Sequence, residues 1–246
     1  MSSLVTDEAA LSLLGVFAKY WQPGTVKTRL ARRYGDNTAA AMHRAFVQAT
    51  LRRFAATGER RLIGFTPTER RSDFVLLAAE TWQVEAQAGG NLGERMERFF
   101  DSALVGGARR VVLMGSDSPD LPRSYVAQAF DALQRQPVVL GPAADGGYYL
   151  VGLSQALPQL FHDIAWSTPL VWSQTVQRLR DLKVPFHALP PWQDVDEPED
   201  LEALLSRLST EESHEDPHLV ELHDKLVRLI NPLDAEPMVS EEKNRP

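Results

Sequence analysis

Cysteine is absent from the chain, which excludes disulfides, thiolate zinc sites and a cysteine nucleophile. No apolar run approaches the roughly 20 residues of a membrane span, so no spanning segment is expected. Residues 1–10 carry Asp7 and Glu8 and lack the basic-then-apolar order of a secretory signal, which makes the cytoplasm the default compartment. Positive charge is in short supply. Lys and Arg number 26 against 33 Asp and Glu, and the net charge of -7 argues against a dedicated nucleic-acid binder. No Gly-x-Ser-x-Gly elbow occurs, which argues against a serine hydrolase, and the Walker spacing of a phosphate loop is missing. The histidines (His43, His162, His187, His214, His218, His223) form no convincing metal pair. His214 and His218 are spaced i, i+4, but Pro217 between them breaks a continuous helix, so they read as solvated loop residues. There is no internal repeat.

What remains is an ordinary globular composition, 43% apolar and 24% charged, on a chain of 246 residues. That length suffices for one large α/β domain with a sizeable core. Strand and helix patterns alternate. Leu11–Ala18 is apolar almost throughout, as in a strand buried on both faces. Asp36–Thr57 has helical spacing, with Met42, Phe46 and Ala49 on one stripe and Gly58 closing it. Arg61–Thr66 reads as a strand, Ser72–Glu80 as a short helix, Trp82–Gln87 as a short strand and Leu92–Val105 as a helix. Arg110–Gly115 is a strong strand and Pro122–Gln134 a helix. Val138–Gly141 and Tyr148–Leu153 are strands around the loop Pro142–Gly147. Thr168–Leu182 is a helix with Thr168 as its N-cap, Pro185–Leu189 a strand and Pro198–Leu208 a helix. This alternation implies a three-layer α/β/α domain with a mostly parallel central sheet.

A nucleotide-binding domain over residues 1–208 is therefore expected, followed by an extension over 209–246. The extension starts with an acidic polar break at 209–217. Leu219, Leu222, Leu226 and Leu229 then follow at helical, nearly heptad spacing, and residues from Glu236 on read as disordered. That helix is expected to dock on the domain or on a second subunit in a homodimer, in preference to serving as a site for a recruited partner.

In an open parallel sheet, ligands bind beyond the carboxyl ends of the strands. Four segments fall there. The loop Lys19–Arg29 follows the first strand. Gly24 lets backbone approach a ligand closely, and a helix opens on Lys27 and Arg29, which offer positive charge and free N–H groups to a phosphate. A cationic first turn opposes the helix dipole, which weakens a merely structural reading. The segment Gly115–Pro122 puts Asp117 at a strand tip, where a carboxylate can hold a divalent cation, while Asp120 reads as a helix cap. Gly141–Tyr149 contains Asp145-Gly146-Gly147, by itself an ordinary hairpin turn, before Tyr148 and Tyr149. Asp194–Asp200 puts Asp194 and Asp196 on one side of an extended chain, where two carboxylates repel unless a cation or proton intervenes. One of the two is assigned to metal, and the rest of the segment to the start of the next helix.

Taken in this order, the segments resemble the nucleotide-diphospho-sugar transferase superfamily, the fold of A-type glycosyltransferases and of sugar or cofactor nucleotidyltransferases. The nearest pattern is that of an uncharacterised bacterial family usually called a selenodomain-associated transferase or simply a glycosyltransferase. Lys19–Leu30 is similar to its Lys-x-Pro-x-Pro-Gly-x-Val-Lys-Thr-Arg-Leu motif, with Trp21 in place of the first Pro. Gln87 and Asn91-Leu92-Gly93-Glu94-Arg95-Met96 match the next motif, with Asn91 where the family usually has Asp. Gly115–Leu121, Gly141–Leu150, Trp166-Ser167-Thr168 and Asp194–Leu201 complete the likeness, which spans about residues 11–205.

The resemblance implies a nucleotide held between the first loop (Lys19, Gly24, Lys27, Arg29) and Gln87, Asn91 and Gly93. It also implies Mg2+ or Mn2+ on Asp117 with Asp194 or Asp196, and a sugar or small-molecule acceptor near Asp145, Gly146, Gly147, Tyr148, Trp166, Ser167 and Thr168. The expected activity is nucleotidyl transfer from a nucleoside triphosphate to a small acceptor. Lys27, Arg29 and Lys19 would offset developing charge. The alternatives are glycosyl transfer from a nucleotide-diphospho-sugar and nucleotide binding without turnover.

Overall fold

The computed structural model describes residues 11–231; the expectations for residues 1–10 and for the segment from Glu236 lie outside the described residues. Strand β1 (Ser12–Lys19) lies inside the sheet, parallel to β2 (Arg60–Thr66) on one side and to the central strand β4 (Arg110–Met114) on the other. β3 (Gln83–Ala86) extends the sheet beyond β2. β6 (Tyr148–Leu153) runs antiparallel between β4 and β5 (Val138–Pro142), and β7 (Phe186–Ala188) lies parallel to β5. The order is β3-β2-β1-β4-β6-β5-β7. β6 reverses because residues 143–147 alone connect it to β5, a link long enough for a hairpin and too short for a crossover. The carboxyl ends of β1, β4 and β5 and the start of β6 therefore share one edge.

The helices are α1 (Thr28–Tyr34), α2 (Asp36–Arg53), α3 (Arg71–Ala78), α4 (Leu92–Val105), α5 (Arg123–Ala132), α6 (Val171–Asp181), α7 (Pro198–Leu208), α8 (Glu211–His214) and α9 (Pro217–Ile230). One core, including Phe54, Phe65, Phe74 and Val126, packs α2, α3 and α5 on the sheet. Another, including Phe100, Leu140, Leu160 and Leu179, packs α4 and α6 on the other face. The expected three-layer architecture is observed.

A third core joins α1, α2, α7 and α9 through Leu30, Met42, Phe46, Leu204, Leu222 and Leu226. The stripe of Met42, Phe46 and Ala49 faces this cluster, and α9 docks on α2. The break expected at 209–217 contains helix α8, capped by Thr210. Buried Arg53 donates to the Pro119 and Leu121 carbonyls at 2.6 and 3.0 Å and to Asp216 at 2.9 Å. Asp216 in turn caps α9 by accepting from the His218 amide.

Two expected caps are corrected. Asp120 does not cap α5, which begins after Pro122 with no side-chain cap. Its carboxylate instead binds Arg207 at 2.6 Å, because it is buried where only a guanidinium can compensate it. Thr168 does not cap α6, which starts at Val171; its hydroxyl donates to the Ala165 carbonyl and accepts from the Leu170 amide in the turn before the helix.

Leu226 is fully buried, so Leu226→Ala should lower unfolding stability by about 2–5 kcal/mol in a denaturant titration. Burial raises the Asp216 carboxyl, but Arg53 outweighs it and holds the group below the ordinary range. A depressed carboxyl stabilises above its unfolded-state pKa and loses that contribution as pH falls through the folded value. Asp216→Asn should therefore be less stable than wild type near neutrality, with the gap closing well below about pH 4. A gap that persists unchanged to pH 2 would exclude this linkage.

Candidate active site

At the shared sheet edge an open cleft of about 660 Å3 is lined by Lys27, Arg29, Asp117, Asp145, Gly147, Tyr148, Trp166, Ser167, Thr168, Asp194 and Asp196. Three of the four segments read from the sequence meet at one end of it. Lys27 comes from the loop after β1, Asp117 from the tip of β4, and Asp194 and Asp196 from the run into α7. The backbone fixes the pairing, since the Val195 amide donates to the Asp117 carbonyl at 2.9 Å.

Lys27 Nζ lies 2.5 Å from Asp117 Oδ1 and 2.9 Å from Asp196 Oδ1, with only 3% of its side chain exposed. Asp117 and Asp196 each leave 42% of their side chains open to the cleft. Burial opposes the lysine charge, but Asp117 and then Asp196 outweigh it, so the ammonium is held protonated above its usual range. Burial likewise opposes ionisation of Asp117, and Lys27 with its neighbours reverses the sign, leaving the carboxylate ionised. Asp194 differs. Burial, reinforced by the Asp117 charge, pushes it up to about 7, against the hydrogen bond it accepts from Ser118.

His43, on α2, belongs to this group, although the sequence reading gave it no role there. It is buried, its Nε2 bonds the Lys19 carbonyl at 2.9 Å, and its Nδ1 stands 3.7 Å from Asp117 Oδ1. A carbonyl accepts only, so Nε2 carries the proton. Burial lowers the imidazole pKa, which leaves Nδ1 bare at neutral pH. A signal existed in the sequence: His43, Val47 and Thr50 follow the spacing of the inward stripe of α2, where a polar ring needs a reason.

Arg29 reaches out of the cleft to Glu197 at 3.5 Å, both side chains being more than half exposed. Glu197, with Asp200, forms the capping box of α7. At the other end of the cleft Tyr148 and Trp166 meet edge to face, with centroids 6.2 Å apart. Burial drives the Tyr148 phenol far above its usual range, so it acts as a neutral hydroxyl. Asp145 accepts from the Gly147 amide at 2.9 Å and closes the hairpin. Gly146 has φ 89°, and a Cβ there would lie 2.4 Å from the Pro169 carbonyl oxygen, so this turn can pack against 169 only as glycine.

The other residues named from the sequence lie outside the cleft wall. Lys19 Nζ donates to the Thr25 carbonyl at 2.8 Å and braces the loop around Gly24. Gln87 bonds the Gly64 carbonyl at 2.8 Å and faces a separate cavity of about 280 Å3 beside α4. The Asn91 carboxamide oxygen accepts from the Glu94 amide and caps α4. Gly93 leaves room for Trp166, whose Nε1 would be 2.4 Å from a Cβ at that position.

The raised Asp194 carboxyl binds a proton in the folded chain that the unfolded chain releases near pH 4, so it costs stability as pH rises from about 4 to 7. With a chelator present, Asp194→Asn should be more stable than wild type at pH 8, by on the order of a few kcal/mol, and equal to it at pH 4. Parallel stability curves for the two proteins would refute the assignment.

A family model described as "uncharacterized protein conserved in bacteria (DUF2064)" matches residues 49–168, a span that includes Asp117, Tyr148 and Trp166. A crystal structure from Desulfovibrio desulfuricans G20, provisionally named a nucleotide-diphospho-sugar transferase, is 35% identical. The match covers 88% of this chain and 96% of that one, with a TM-score of 0.81. Rv0371c from Mycobacterium tuberculosis H37Rv is 16% identical, with 80% of this chain and 98% of that chain covered and a TM-score of 0.50. A Methanothermobacter nucleotidyl transferase is 13% identical over 79% and 95% of the two chains, also with a TM-score of 0.50. These two share the fold alone. No curated protein matches. The chain, by its 35% identity over 88% of its length to the Desulfovibrio protein, belongs with it to the nucleotide-diphospho-sugar transferase family, and residues 49–168 match the DUF2064 model.

Proposed function

We propose that the protein is a metal-dependent transferase that moves a nucleotidyl group from a nucleoside triphosphate to a small acceptor, with Mg2+ or Mn2+ as cofactor. The observation that carries this reading is the shape of the cleft. An ammonium and three carboxyl groups converge at one end, and an aromatic pair stands at the other. The donor set suits a hard divalent cation. Asp117 and Asp196 already place two oxygens around one cationic point, which Lys27 Nζ holds. Among the described residues no three acidic or imidazole side chains enclose a metal as they stand, in keeping with an ion that takes its remaining ligands from phosphate and water. Asp117 and Asp196 would hold it, with Asp194 behind them, and when bound it would neutralise charge on the phosphate oxygens.

The side chains of this protein supply position and charge. Lys27 lies in one wall, and Arg29 stands at the rim beside it, where its exposed side chain can swing from Glu197 toward the phosphates. Tyr148 and Trp166 give an acceptor ring or sugar an apolar face, and Asp145 offers it an acceptor; the Tyr148 hydroxyl itself is buried away from the cleft. Attack by the acceptor on the α-phosphorus needs no protein nucleophile, because orientation and charge neutralisation lower its barrier.

A second reading is supported by the name of the Desulfovibrio relative: glycosyl transfer from a nucleotide-diphospho-sugar, with Asp145 and Tyr148 facing the sugar. The products separate the two. The proposed reaction releases pyrophosphate, and the second releases a nucleoside diphosphate. Detecting only the diphosphate across a panel of triphosphates and nucleotide sugars would overturn the first. Asp117→Ala should reduce either turnover by at least about 100-fold. Nucleotide binding with no product of either kind would leave a binding protein.

A further inference from the structure

Lys27 shares the point where the proposed metal would sit. Its ammonium touches Asp117 and Asp196 together and, at 3% exposure, is shielded from water. Its backbone is left-handed, with φ 47° and ψ 43°, a conformation that costs a non-glycine residue energy and persists only where contacts enforce it. The surroundings are rich in electron pairs. Bare His43 Nδ1 stands beside Asp117 with no hydrogen-bond partner, on a side chain 5% exposed. Asp194 adds a third carboxyl. Arg29 turns outward to Glu197, so Lys27 is the one buried cation at this cluster among the described residues. The Phe46 ring, 5.9 Å from Nζ, adds a weak contact from below.

We propose that Lys27 is an exchangeable counter-ion. Its ammonium offsets part of the negative charge at the metal position while the cleft is empty, and an incoming divalent ion displaces it toward the phosphates. This rests on the nucleotide-transferase reading above. The exchange completes the neutralisation of the two carboxylates. Two carboxylates that one lysine compensates incompletely accept a dication, and the released ammonium meets the negative charge that the nucleotide brings. The movement is small, because rotation about the four-carbon stem carries Nζ several ångströms with no change in the backbone. Direct oxygen–metal distances are shorter than the 2.5 and 2.9 Å seen to Nζ, so Asp117 and Asp196 need only close inward.

The exchange predicts an effect of unusual sign. Lys27→Met keeps the apolar stem and removes the competitor. By electron paramagnetic resonance it should bind Mn2+ alone at least about tenfold more tightly than wild type. It should bind Mn2+ with the four ribonucleoside triphosphates at least about tenfold more weakly. Asp117→Asn should lose Mn2+ binding in both. Unchanged or weaker binding of Mn2+ alone by a folded Lys27→Met protein would overturn the proposal.

A second measurement uses the wild-type chain and does not depend on a variant folding. Acylation of Lys27, followed by mass spectrometry, should be slow in the empty protein, faster with saturating Mn2+ and slow again once triphosphates are added. Reactivity indifferent to Mn2+, or no Mn2+ binding at all, would also overturn it. If Mn2+ exposes Lys27 but no triphosphate or nucleotide sugar binds, the exchange stands and the nucleotide reading falls.

Discussion

A single ammonium ties together three segments that are far apart in the chain. Lys27 and Asp196 are 169 residues apart, and Asp117 lies between them. Each charge would be costly to bury alone, and together they are tolerable because their geometry is close and mutually satisfying. The sheet makes this meeting unavoidable. β1 and β4 are neighbours, so the loop after one and the tip of the other open on the same edge. The hydrogen bond from Val195 to Asp117 then brings the third segment alongside.

Helices remote from the cleft hold this arrangement steady. α2 carries His43 to the carboxylates on one face and Met42 and Phe46 to the third core on another. The same core takes Leu30, three residues beyond Lys27, and Val195, between Asp194 and Asp196. Fixing Leu30 and Val195 in one apolar cluster sets the positions of the charged neighbours more firmly than their mutual attraction would. A site on open loops gains its precision from such support.

The fold was legible in the sequence wherever one physical rule dominated. Doubly buried strands such as Ser12–Lys19 are continuous apolar runs, Leu92–Val105 announces itself by periodicity, and Pro198–Leu208 by periodicity and by the acidic residues at its start. The expected caps failed for two reasons: Asp120 went to a distant partner, Arg207, and Thr168 closed a local turn ahead of α6. In the site, charged residues on exposed loops were found from the sequence, and the inward-facing His43 was not. Its spacing with Val47 and Thr50 marks an inward face of α2, but that this face meets the carboxylates is a tertiary fact that spacing does not carry. The motif glycines and amides divided likewise. Gly146, Gly93 and Asn91 shape the backbone around the cleft, and Gln87 faces a neighbouring cavity, distinctions that spacing alone does not carry.

The third core has a further consequence, for the order in which the molecule forms. Its members come from α1 and α2 near one end of the described chain and from α7 and α9 near the other. Closing so long a loop is slow, because the entropy is lost before the contacts repay it. As the chain leaves the ribosome, the strands around β1 can pair early, but the stripe of Met42, Phe46 and Ala49 must wait for Leu222 and Leu226 to emerge. Until then an apolar face stands open and Lys27 lacks Asp196. The binding edge is thus among the last parts to mature, and a chain interrupted before α9 would present a sticky surface in place of a finished cleft.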